Sequence, residues 1–196
     1  MTVKRALDVC VAAPALVVAA PLLLALALMV CLTSAGPPLF GQRRVGRAGR
    51  EFRMLKLRTM VAGAERMRSR LVTQSRDADW LDLAHDPRVT RVGRLLRRAS
   101  LDELPQLVNV VRGDMSLVGP RPLLVEEQAR VPEWARERSS LRPGITGLWQ
   151  VEGRASVSFQ DMLRLDCQYV EHASLRTDLK ILVRTVPAVV SGRGAN

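Results

Sequence analysis

The sequence predicts a predominantly helical α+β chain: an N-terminal re-entrant membrane helix packed on a compact domain with short strands. Three observations point there. No residue from Val9 to Gln42 is charged, and Val9 to Leu32 is almost purely aliphatic. The run Phe52-Arg53-Met54-Leu55-Lys56-Leu57-Arg58 alternates apolar and cationic residues, the period of a strand with one wet face. From Arg91 onward most segments carry helical spacing. These features divide the chain into a membrane hairpin over 1–40, broken at Pro21, and a compact domain over 41–196.

The apolar run is long enough to cross a bilayer, which takes roughly 20 residues. Pro21 lies in its middle and removes a backbone hydrogen bond where lipid offers no substitute; Pro14 is a weaker interruption. Lys4 and Arg5 precede the run, and Arg43, Arg44, Arg47 and Arg50 follow it. Basic flanks favour the cytoplasmic side, so both ends prefer the same side. A helix that enters, bends at Pro21 and returns satisfies both flanks. A kinked transmembrane anchor is the alternative. A cleaved signal peptide fits less well, because the apolar run is longer than a usual signal core and is followed by a strongly basic stretch.

Past Gly36-Pro37-Pro38, which breaks the chain at the membrane exit, the elements follow in order. The alternating strand over 52–58 comes first. Met60 to Asp86 has no firm pattern and reads as mixed helix and loop. Arg91, Arg94 and Arg97, with Val92, Leu95 and Leu96 between them, predict an amphipathic helix with a basic face. A second helix is expected to start at Ser100, with Ser100 and Glu103 as a capping box and Leu104, Leu107, Val108 and Val111 as its apolar stripe; Gly113 stops it. Gly119-Pro120-Arg121-Pro122 predicts a rigid turn in which the glycine takes an unusual φ. Pro132 to Ser140 carries a short helical pattern. Helices are expected over 158–169 and 175–190, the last with Leu179, Leu182, Val183 and Val186 on one face, suited to the core or to a membrane surface.

Composition narrows the function. The 196 residues are 47% hydrophobic and 25% charged, with a formal net charge of +11, which suits an anionic partner: nucleic acid, lipid headgroups or a phosphorylated substrate. Aromatic residues are only 4%, which disfavours a stacking surface for single-stranded nucleic acid. Three cysteines, Cys10, Cys31 and Cys167, form no closed disulfide framework and read as reduced packing thiols. With no CxxC pair and only His85 and His172, a zinc site is not expected. Gly41 and Gly46 have P-loop spacing, but Arg47-Ala48 replaces the Lys-Ser/Thr that chemistry needs, and no G-x-S-x-G elbow occurs.

Asp102-Glu103 is the most informative pair. Acids in the first turn of a helix commonly serve its dipole and cap. The same placement, near Arg97 and Arg98, is also expected to keep Asp102 ionised at neutral pH and able to attack phosphorus, with Glu103 holding Mg²⁺ beside it. Among the cations Lys56, Arg58, Arg97, Arg121, Arg142 and Arg154, solvated charge is the plain reading. Arg121 and Arg142 stand out because each adjoins proline close to glycine, which stiffens a loop for bidentate phosphate binding.

With these segments in place, the chain resembles the bacterial sugar transferase family, the monotopic phosphoglycosyl transferases. The resemblance is carried by Lys4-Arg5-Ala6-Leu7-Asp8, Gln42-Arg43-Arg44-Val45-Gly46, Lys56-Leu57-Arg58-Thr59-Met60, and Asp86-Pro87-Arg88-Val89-Thr90-Arg91-Val92-Gly93. It continues through Ser100-Leu101-Asp102-Glu103-Leu104-Pro105-Gln106-Leu107, Gly113 to Pro122, Arg142 to Val151 and Gly192-Arg193-Gly194-Ala195. Only about 61–84 lacks a counterpart.

The resemblance implies transfer of a sugar-1-phosphate from a UDP-sugar to a polyprenyl phosphate such as undecaprenyl phosphate. The aspartate matching Asp102 forms a covalent phosphosugar intermediate and UMP leaves; the glutamate matching Glu103 helps bind Mg²⁺. Lys56, Arg97, Arg121 and Asp166 match positions associated with binding the substrate phosphates. It implies a monotopic protein of the inner (plasma) membrane whose catalytic domain, 41–196, faces the cytoplasm. A homodimer is allowed and no nucleic-acid partner is expected. Two departures follow. Ala20-Pro21 stands where some members have Ser-Pro, and the four further N-terminal membrane helices of some relatives are not expected here. The Gly-Arg-Gly-Ala-Asn ending resembles relatives that transfer hexose phosphates. Two other classes compete: a membrane-anchored nucleic-acid-binding module, and a non-catalytic scaffold for which Asp102→Asn is silent.

Overall fold

A computed structural model describes residues 2–71, 73, 75, 81, 83, 86–152 and 157–190. Its backbone is mostly helical, with two small two-stranded sheets, as the sequence predicts. His85, Arg154 and the Gly192–Asn196 ending lie outside the described residues.

α1 (Thr2–Thr33) is one helix, and helical geometry continues through Pro14 and Pro21. Pro21 therefore lies inside the helix and not at a turn between two. Proline withholds one i→i−4 donor, but the remaining ladder can carry the helix past it. The two flanks of α1 are seated on the rest of the protein. Ala12, with Ala15 and Leu16, packs into the cluster of Met54, Leu107, Val110 and Met115; Leu26 and Val30 pack on Leu57 and Leu96. Between these contacts Val17, Val18, Leu22 and Leu24 are exposed. Cys10 and Cys31 also face outward as free thiols, so they do not pack as expected; Cys167 is half-buried.

Polar bonds fix both ends of α1. Lys4 Nζ reaches Asp178 Oδ2 at 2.5 Å and the Val118 carbonyl at 3.0 Å. Arg5 donates to the carbonyls of Val110 and Val111 in the last turn of α4 (Gln106–Arg112). Asp8 accepts from Ser116 Oγ and the Leu117 N–H, both at 3.1 Å. At the far end Arg58 donates to the carbonyls of Ser34 and Ala35, closing the C-terminus of the helix.

β1 (Leu39–Val45) and β2 (Glu51–Leu57) form an antiparallel ribbon in which Arg44 faces Phe52, Gln42 faces Met54 and Phe40 faces Lys56. After α2 (Ala64–Leu71), α3 (Arg91–Arg98) starts from Thr90, whose side chain accepts from the Gly93 N–H at 2.9 Å. Gly93 sits so close to the Thr59 carbonyl that any Cβ would overlap it, which is why α3 can lie against the end of β2. Arg91, Arg94 and Arg98 are exposed; Arg97 instead turns inward.

The helix expected from Ser100 is two pieces. Ser100 adopts a left-handed conformation (φ 54°) and makes no side-chain cap. A capping box needs an extended N-cap, so none forms, and Glu103 is released for another partner. A 3-10 turn over Leu101–Glu103 is followed by Pro105 and then α4, which Gly113 ends at φ 92°.

β3 (Ser116–Val118) pairs in parallel with β4 (Gly144–Thr146). Gly119 beside them is not at positive φ, contrary to expectation. It is required because the Arg142–Gly144 backbone crosses where a Cβ would stand. α5 (Val125–Gln128) lies against β1, while a 3-10 segment over Glu133–Ser140 and α6 (Leu148–Glu152) pack on α7 (Phe159–Glu171), whose Phe159, Met162 and Leu163 are fully buried. α8 (Leu175–Val190) buries Asp178 and Ile181 and leaves Leu179, Val183 and Val186 outward, so the predicted apolar stripe is not its core face.

Candidate active site

A cleft of about 320 Å³, open to solvent, lies between the β1–β2 ribbon, the Asp102 turn and the start of α6. Arg44, Lys56, Glu103, Arg121 and Trp149 line it. Asn109, fully buried on α4, ties that helix to the ribbon: it accepts from the Leu55 N–H at 2.9 Å and donates to the Arg53 carbonyl at 2.7 Å. This crosslink holds β2 so that Lys56 overhangs the Asp102 turn. Lys56 Nζ meets Glu103 Oε1 at 2.7 Å, with both side chains about a quarter exposed (25% and 30%).

Asp102 is buried (5% exposed) on the same turn. Burial raises its carboxyl above the usual aspartate range, and Glu103 adds to this, while Lys56 and Arg97 pull the other way. The carboxyl is thus less acidic than the sequence suggests: the turn that carries it is more enclosed than a helix N-terminus in solvent. Arg97 is anchored by Nε to Thr59 Oγ1 at 3.0 Å; burial lowers its pKa and the charge of Asp102 opposes that shift. Asp102, Glu103, Lys56 and Arg97 therefore form one cluster.

Arg121 enters from the other side. Its guanidinium stacks on the Trp149 ring, 4.6 Å from the centroid. Its peptide is gripped at both ends: the N–H donates to Asp166 at 3.1 Å, and the carbonyl accepts from Arg138. Asp166 is fully buried and pairs with Arg138 at 2.5 Å, so it reaches the cleft through the placement of Arg121. Arg142 is elsewhere: it donates to the Gly113 carbonyl at 2.8 Å and latches the loop after α4.

The residues that sequence reasoning passed over are Asn109, Arg138, Trp149 and Arg44. Arg44 counted as part of a basic flank and of a segment that carries the resemblance, but not as a site residue. Its sign was the strand register, which puts it on the same ribbon face as Lys56.

Mg²⁺ binds through one or two carboxylates with phosphate oxygens completing its shell. The adjacent carboxylates of Asp102 and Glu103, the latter at the cleft surface, are a donor set of that kind. Among the described residues no group of three or more His, Cys, Asp or Glu gathers into a protein-only cage.

A buried carboxylate flanked by cations thus lies next to Glu103 at the edge of a cleft lined by arginine and lysine, in a chain that begins with a long apolar helix. The chain belongs to the bacterial sugar transferase family, whose profile it matches over residues 1–192. It is 42% identical over 197 residues to the exopolysaccharide production protein ExoY of Rhizobium meliloti, covering 98% of this chain and 87% of that one. It is 48% identical over 201 residues to the UDP-glucose:undecaprenyl-phosphate glucose-1-phosphate transferase of Caulobacter vibrioides (96% of this chain, 70% of that one). It is 40% identical over 197 residues to the undecaprenyl-phosphate galactose phosphotransferase of Salmonella typhimurium, spanning 98% of this chain and 41% of that longer protein.

Proposed function

We propose that this protein transfers a sugar-1-phosphate from a UDP-sugar to undecaprenyl phosphate, as the first membrane step of exopolysaccharide or glycoconjugate synthesis. The observation that carries the reading is the buried Asp102 carboxylate, set between Lys56, Arg97 and Glu103 beside a cationic cleft. The relatives' names supply the substrate class.

An Asp102 carboxylate oxygen attacks the sugar-bearing phosphorus. The bond from that phosphorus to the bridging oxygen breaks, and UMP leaves with the electron pair. An oxygen of the lipid phosphate then attacks the same phosphorus and displaces the Asp102 carboxylate. Lys56 and Arg97 favour the ionised nucleophile, opposing the effect of its burial. Arg121, held by Trp149, Asp166 and Arg138, presents positive charge to the phosphates. Mg²⁺, held by Glu103 with Asp102 adjacent, would supply further charge neutralisation on the phosphoryl group.

The membrane reading is monotopic, in the inner membrane with the domain facing the cytoplasm. Straight, α1 would be about 48 Å long. Lys4 and Arg5 at one end and Ser34 and Ala35 at the other bond to the same body, and the exposed apolar stretch lies between them. With both ends held on one body, that arrangement supports an insert whose ends stay on the same side of the bilayer.

Two measurements test these proposals. Purified protein in nanodiscs with Mg²⁺ and undecaprenyl phosphate is expected to release UMP from one or more of a panel of UDP-sugars, and only with lipid present in multiple-turnover conditions. No release from folded protein with any sugar favours a scaffold. For topology, Val3→Cys and Arg50→Cys, each in a background with Cys10, Cys31 and Cys167 replaced by Ser, are expected to react with an impermeant maleimide in inverted vesicles but not in intact spheroplasts. Labelling of the two from opposite faces means that α1 spans.

A further inference from the structure

We propose that Arg44 binds the phosphate of the departing nucleoside monophosphate, at the end of the cleft away from Asp102. The inference rests on the transfer reading above and extends it to a residue that the reading does not use.

Register places the two ends. In the β1–β2 ribbon Arg44 faces Phe52 and Lys56 faces Phe40, so Arg44, Met54 and Lys56 share one face. All three line the cleft, which makes that ribbon face its floor. Arg44 and Lys56 are four strand positions apart, roughly 14 Å between backbones at about 3.4 Å per residue. Lys56 stands at the Asp102–Glu103 end, so Arg44 marks the opposite end. A diphosphate with its transferred phosphorus at Asp102 extends its other phosphate along this floor toward Arg44 and Arg121.

Charge is unbalanced in the same direction. Lys56 is matched by Glu103 at 2.7 Å. Arg44 is only 8% exposed, yet its guanidinium donates to neutral acceptors: the Pro122 carbonyl at 3.0 Å and Gln42 Oε1 at 2.7 and 3.2 Å. Its nearest carboxylate is Glu127 at 3.6 Å, which is shared with Arg68 at 3.8 Å and accepts from the Leu124 N–H. Burial first, and then repulsion from Arg121, lowers the Arg44 pKa to about 10. The Arg44–Glu127 ion pair is longer than that of Lys56, and Glu127 divides itself between two arginines. Two guanidiniums repelling each other at a cleft wall are stabilised when an anion settles between them, and arginine's fork suits a phosphate. Gln42 and Pro122 hold that fork in place before any ligand arrives.

The test is calorimetric binding of UMP, uridine and UDP to the full-length protein in nanodiscs, without turnover. Wild type is expected to bind UMP more tightly than uridine. Arg44→Gln is expected to weaken UMP binding at least tenfold and leave uridine binding unchanged. Arg44→Lys, a smaller change that keeps the charge without the fork, is expected to fall between them and decides the matter if the Gln variant does not fold. Arg43→Gln, which alters the exposed neighbour on the opposite face of the same strand, is expected to retain UMP affinity. Equal UMP binding by wild type and both Arg44 variants overturns the assignment of Arg44 alone, as does an Arg43→Gln loss matching that of Arg44→Gln. Folded wild type that binds neither UMP nor UDP overturns the transfer reading itself.

Discussion

Asp102→Asn is expected to reduce UMP release by a thousandfold or more and to raise the melting temperature. The first effect follows from removing a nucleophile that no neighbour replaces. Intact-protein mass spectrometry after mixing with UDP-sugar and no lipid is expected to show a phosphosugar adduct on wild type, located at Asp102, and none on the variant. The second effect follows from burial. The folded protein holds the Asp102 proton more tightly than the unfolded chain does. As pH rises from the ordinary aspartate range through the raised one, the unfolded state loses its proton first, and folding stability falls. Above that window the penalty is fully present, and asparagine does not incur it. The acid limb of adduct formation is likewise expected above the range of an exposed aspartate. A destabilised Asp102→Asn protein with normal turnover would falsify the role given to this carboxylate.

The second large effect concerns the support beneath Arg121. Arg138→Met leaves the fully buried Asp166 carboxylate without its 2.5 Å partner. Breaking one side of such a pair costs about 3–5 kcal/mol. Replacing both, as Arg138→Met with Asp166→Leu, is expected to return most of that stability, because two matched apolar side chains are often neutral or better than a buried pair. Activity is not expected to return with it. The Arg121 peptide would have lost the acceptor for its N–H and the donor to its carbonyl. Denaturant melts and single-turnover rates separate the two effects. Recovery of both stability and rate in the double variant would show that the pair serves packing alone.

Local patterns disclosed much of this molecule. The alternation around Lys56 marked β2 within one residue, and the arginine spacing marked α3. The Asp102-Glu103 pair drew attention because the two acids follow closely on Arg97 and Arg98 in a basic chain. The errors lie where the chain meets something distant. Ser100 reads as a cap, but it takes a left-handed conformation between α3 and the Asp102 turn, and Glu103 pairs with the distant Lys56. Gly119 reads as a turn residue, but its reason is the backbone of residues 142–144. Arg138 had no local signal, because its partner lies 28 positions away. The outward stripe of α8 shows the same limit: periodicity finds a face but not the direction in which it points.

The bond between Lys4 and Asp178 joins residues 174 positions apart. At about 5–20 residues per second, a ribosome needs on the order of 9–35 s to make that interval. During that time the apolar helix has left the exit tunnel and its polar anchor at the other end of the chain does not exist. Arg5 and Asp8 wait less, for residues 110–117, but still through half of synthesis. The bilayer must therefore shelter α1 before the domain can hold it. Slow codons or a stall before Asp178 would leave a nascent protein attached to lipid with its closing contact unmade, a state exposed to quality-control proteases.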